Sequence, residues 1–114
     1  MPKLPILIHG YGYDYGDPRL DQGFNIPPLD SWLGDPMRAH GFPDGQAQRD
    51  VIRVPMDDIN NRFSGLAAAN GGGANVHFID NRTVVGTEWH DELHPTDKGF
   101  AVVAAKFAAV LATI

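Results

Sequence analysis

The stretch LPILIHG, Leu4 to Gly10, is apolar on consecutive positions. A strand with one face in water alternates apolar and polar residues, because successive side chains point to opposite faces. Apolar residues on both faces are the habit of a strand inside a parallel sheet. Such a strand calls for neighbours on both edges and helices over both faces, which sets an α/β architecture. The chain offers one other convincing strand, NVHFID from Asn75 to Asp80. An apolar parallel edge without cover is an association hazard. The Leu4–His9 strand is therefore expected to pair with a missing N-terminal segment, to self-associate, or to be covered by a loop.

Between the strands, residues 11–45 read as a long irregular region rich in Gly, Pro, Asp and Tyr. Irregular segments of this length inside compact domains are usually functional or disordered. Leu29, Trp32, Leu33 and Met37 have helical spacing, room for one short helix whose length Pro36 restricts. A helix is predicted over much of Gln48 to Asn70, with Met56, Ile59, Phe63 and Leu66 as its apolar face. Pro55 either opens this helix or kinks a longer one. MDDINNR, within it, reads as a solvated face, and the NGGGAN that follows ends it. NGGGAN lacks the Gly-Lys-Ser/Thr ending of a phosphate loop and does not open a helix. The last helix is expected to start at about Pro95, with Phe100, Val103, Phe107, Val110 or Leu111, and Ile114 facing inward. The order is βαβα, a piece of an open α/β sheet with parallel strands.

At 114 residues the chain is one small domain, with 43% apolar residues for a core. A net charge of -5 and no basic run argue against nucleic acid as a partner. No apolar stretch is long enough for a membrane span. No signal peptide is visible, so a true start at Met1 implies a cytoplasmic protein; the compartment is otherwise open. The absence of cysteine rules out disulfides and thiolate chemistry.

The chemistry concentrates in WHDELHPTDKGF, Trp89 to Phe100. Asp91 and His94 follow the second strand and precede the last helix. That is the carboxyl edge, where open α/β sheets bind ligands. A carboxylate beside an imidazole fixes one tautomer and stabilises the imidazolium, as in a catalytic triad. The alternative is that both residues merely cap the helix at Pro95. His90 and His94 also come near the zinc signature His-Glu-x-x-His, which would make a metal-dependent hydrolase. The position after His90 is Asp91, however, and Pro95 disfavours helical geometry at His94. No metal and no cofactor is expected in the preferred reading. HGYGYDYG places His9, Tyr11, Tyr13 and Asp14 at the end of the first strand, as a substrate-pocket rim or as a surface turn.

DELHPTDKGFAVVAAKFAAVL resembles the C-terminal motif of the SGNH (GDSL-type) serine hydrolases, and PILIHGYGYDYG is similar to the HGYDYP segment of some bacterial members. The resemblance covers nearly the whole chain. It implies a flavodoxin-like three-layer α/β/α sheet, an esterase- or lipase-like activity, His94 as general base and Asp91 as its orienter. The family's Gly-Asp-Ser nucleophile motif and its oxyanion Gly and Asn precede the strand that LPILIH matches, and this chain has none of them. The only serines are Ser31 and Ser64. Ser31, in LDSWLG, lacks a preceding strand and glycine; Ser64 falls mid-helix. The chain thus reads as the base-bearing C-terminal part of such a domain, lacking its N-terminal strands and inactive alone. It would take a small acyl ester once completed. The alternative is a non-catalytic hydrolase-like binding module.

Overall fold

The computed structural model of the chain describes residues 4–13, 33–70 and 75–114. Within them the order is β1 (Ile6–His9), α1 (Gly34–Ala39), α2 (Gln46–Ala69), β2 (Val76–Ile79) and α3 (Asp97–Leu111). β1 and β2 pair in parallel, Ile6 opposite Val76 and His9 opposite Ile79. Among the described residues the sheet has these two strands. Parallel strands cannot be joined by a tight turn, and here α1 and α2 make the crossing. The pairing carries on past the carboxyl ends, where Tyr13 N donates to Arg82 O at 2.8 Å.

α1 lies in the region expected to be irregular. Pro36 sits in its first turn, where a missing N–H costs nothing. Leu29 and Trp32, expected to share this helix, lie outside the described residues, as does most of 11–45. α2 is continuous through Pro55, so the proline forfeits one interior hydrogen bond without ending the helix.

The buried side of α2 differs from the expected one. Gln48, Ile52, Asn60 and Ala67 are its buried residues, while Phe63 and Leu66 are 36% and 53% exposed. MDDINNR is likewise not simply a solvated face. Asn60 is fully buried, and its Nδ2 donates to Tyr11 O at 3.0 Å and Met56 O at 2.7 Å. Gly10 makes this approach possible, since a Cβ there would stand 2.2 Å from Asn60 Oδ1. Two short strands are too narrow to cover an entire helix face, so the expected stripe is only half used.

α3 starts later than the sequence indicates. Pro95 precedes the N-cap, Thr96, whose Oγ1 accepts from Gly99 N at 3.2 Å and donates to Glu88 Oε2 at 3.0 Å. Gly99 is the buried residue of this helix, because a Cβ there would lie 2.5 Å from Glu88 O and 2.7 Å from Pro95 Cβ. Val103, Phe107 and Val110 are half-buried, and Phe107 meets His9 edge-on at 5.3 Å. Phe100, Leu111 and Ile114 remain 52%, 53% and 51% exposed.

Candidate functional site

The segment Trp89–Pro95 is a closed loop above the carboxyl edge of the sheet. Trp89 and Pro95 form an isolated antiparallel bridge. His90 N and Asp91 N both donate to His94 O, at 2.8 and 3.3 Å. Trp89 is buried and donates from Nε1 to Gly86 O at 3.1 Å. The loop is thus fastened at its base, and Asp91 and His94 project from its turn.

Asp91 Oδ1 accepts from Leu93 N at 2.8 Å and from His94 N at 2.7 Å. The His94 ring comes back onto the same carboxylate, with Nδ1 2.9 Å from both Oδ1 and Oδ2. Burial works against the charge on Asp91. The bonds from Leu93 N, the His94 ring and His94 N outweigh it and hold the carboxyl below its usual pKa. The side chain of Asp91 is 16% exposed and that of His94 58%. An ionised Asp91 favours the neutral tautomer with the proton on Nδ1, which leaves Nε2 as a bare acceptor. Neither residue caps α3, because Thr96 does so.

His94 lines a cavity of about 180 Å³ together with His9, Tyr11, Asn81 and Trp89. Tyr11 and Leu93 also face a second cavity, of about 430 Å³, set between α1 and α2 and walled by Met37, Ile52 and Met56. The candidate base lines the smaller volume, and its neighbour Leu93 lines both; the larger falls in the range of small-ligand pockets. His9 and Tyr11 therefore share a cavity with His94. Tyr13 is placed differently: its hydroxyl donates to Asp57 Oδ1 at 2.5 Å, and the Arg53 guanidinium lies 5.0 Å from its ring centre. Asp14 lies outside the described residues, as does Ser31. Ser64 is exposed on α2. His90 and His94 stand at the two sides of a tight non-helical loop, and among the described residues no three His, Asp or Glu side chains are grouped to hold a metal ion.

Two polar clusters have no precedent in the sequence reading. In the first, Arg82 binds Asp80 through both carboxylate oxygens and reaches Asp57 at 3.3 Å. The Tyr13 hydrogen bond and Arg82 lower the pKa of Asp57, and Arg82 lowers that of Asp80. The Asp57 bond raises that of the Tyr13 phenol. This cluster ties the segments after β1 and β2 to α2. In the second, Glu92, 3% exposed, accepts from Leu33 N at 2.7 Å (Oε2) and from Gly34 N at 2.8 Å (Oε1). Glu92 sits within the DELH motif, but its partners are far away in sequence, so no local pattern announces it.

Compared with family models, with curated proteins and with solved structures, the chain matches none of them.

Proposed function

We propose that the chain is the base-bearing C-terminal part of an SGNH-type ester hydrolase, a piece of a three-layer α/β/α sheet completed by strands outside these residues. The observation that carries the reading is the hydrogen-bonded Asp91–His94 pair on the carboxyl edge, with His94 on a cavity wall. In the proposed step, Nε2 of His94 takes the proton of a serine hydroxyl as the serine oxygen attacks the ester carbonyl. Asp91 holds the imidazole by Nδ1–H and stabilises the imidazolium. The proton then passes from Nε2 to the leaving alcohol, and water completes the cycle by the reverse route.

The serine and the oxyanion donors belong to a segment or chain beyond these residues, because no Gly-Asp-Ser motif occurs in them. The test begins with the coding sequence on the 5′ side of Met1. A reading frame there that supplies Gly-Asp-Ser should give a product that cleaves short acyl esters. His94→Ala should cost that product about a thousandfold or more in kcat. Equal turnover by the His94→Ala product contradicts the role of His94. Turnover by these 114 residues alone, lost in His94→Ala, would show that they hold a nucleophile after all. A second reading, a hydrolase-like module that binds without catalysis, draws on the same missing serine, and a frame without Gly-Asp-Ser would favour it.

A further inference from the structure

We propose that Glu92 is a positioning residue for the Asp91–His94 pair, and that it acts by fastening the turn that brings the two together. The inference rests on the reading of Asp91 and His94 as an orienter and a base.

Glu92 occupies the middle of that turn. The Asp91 carboxylate closes the turn over it by accepting from Leu93 N and His94 N. His94 O closes it from the other side by accepting from His90 N and Asp91 N. Every one of these bonds spans the backbone of Glu92 or an immediate neighbour. If that backbone rotates, Leu93 N leaves Asp91 Oδ1, and the His94 ring loses its register with the carboxylate. The ten-membered ring of backbone and one side chain that the Leu93 N–Asp91 bond closes does not by itself prevent such rotation. A second attachment does.

The Glu92 side chain supplies that attachment. It is buried while His94 stands at the cavity, and each of its oxygens accepts a backbone N–H, from Leu33 and Gly34. These N–H groups belong to the start of α1, where no intrahelical acceptor exists for them. A carboxylate this deeply buried is costly unless hydrogen-bonded, and bonds to a charged acceptor are shorter and stronger than neutral ones. Withdrawal of Glu92 from α1 would therefore strand a charge on one side and unmade donors on the other. Its neighbour Leu93 lies between the two cavities, so the same attachment holds the partition beside the candidate base.

A purely structural Glu92 would anchor α1 and leave the His94 ring unaffected. ¹⁵N-NMR of the histidine rings and amide hydrogen exchange separate the two. In Glu92→Gln with a native circular-dichroism spectrum, the Gln amide presents a donor where an acceptor oxygen stood. The expected result is loss of the hydrogen-bonded Nδ1–H signature of His94. Protection of the Leu93 and His94 amides should also fall by about tenfold or more, the scale of a hydrogen bond to a charged group. Glu92→Ala should give the same losses. An unchanged His94 spectrum together with unchanged Leu93 and His94 protection in either folded variant overturns the inference. If neither variant folds, exchange in the unsubstituted chain decides. The amides of Leu33, Gly34, Leu93 and His94 should open together, and free exchange at Leu33 and Gly34 with the other two protected overturns it. A missing Nδ1–H signature before any substitution strikes the base-bearing reading instead, and the exchange comparison still tests Glu92.

Discussion

Asp91 carries more of the local structure than its motif indicates. One of its oxygens accepts two backbone N–H groups and both face the His94 ring. Asp91→Ala should therefore lose about 1–2 kcal/mol of stability by chemical denaturation, the usual worth of a side-chain cap plus a charged hydrogen bond. The pH dependence has a definite sign. The folded pKa of Asp91 lies below its unfolded value of about 3.9. Its contribution is thus complete above the unfolded value and disappears as pH falls through the folded one. An acid titration of stability should show this loss below about pH 4, and Asp91→Ala should remove that part of the titration. An Asp91→Ala chain with the same acid limb as the parent would contradict it. The two catalytic candidates were legible at this scale because their chemistry and spacing are local. Glu92 and Asn60 were not. A Glu in a charged loop and an Asn in a polar helical run look solvated until residues distant in sequence supply their partners.

At the scale of elements, the loop and the start of α3 fit through one glycine. Gly99→Ala raises helix propensity by about 1 kcal/mol, yet the added methyl would meet Glu88 O and Pro95 Cβ. Thermal melts should show net destabilisation, of about 1–3 kcal/mol for overpacking. A stabilised Gly99→Ala chain would mean that the α3–loop contact is looser than described. Both strands and α2 were readable from consecutive apolar runs and helical periodicity. The start of α3 was misplaced at Pro95 because proline favours the first turn, whereas the Thr96 side chain, bonded to Gly99 N, sets the N-cap. The inward face of α2 was misjudged for a tertiary reason. Its N-terminal part holds Gln48 against the segment before it, where Nε2 donates to Asp44 Oδ1 at 2.8 Å, and Ile52 lines the cavity shared with α1, so burial follows Gln48 and Ile52 more than Phe63 and Leu66.

For the whole molecule, apolar surface is left over. Leu4 and Ile6 of the β1 segment are 85% and 50% exposed, and Phe100, Val102 and Leu111 of α3 also face solvent. Exposed apolar strand edges and patches of this kind drive association. Light scattering of the isolated chain should show mass rising with concentration, and Leu4→Lys with Ile6→Lys should shift it toward monomer. A clean monomer at all concentrations would count against a sheet that wants further strands. The parallel α/β character was legible from LPILIH and NVHFID alone.

The account turns on the proton of His94. ¹⁵N-NMR of the imidazole at a pH where the ring is neutral reads it directly. The predicted result is a proton on Nδ1, hydrogen-bonded to Asp91, with Nε2 bare, and a switch toward the Nε2–H tautomer in Asp91→Ala. A neutral His94 that already carries its proton on Nε2 in the unsubstituted chain, unchanged by Asp91→Ala, would contradict the assignment of these two residues as orienter and base.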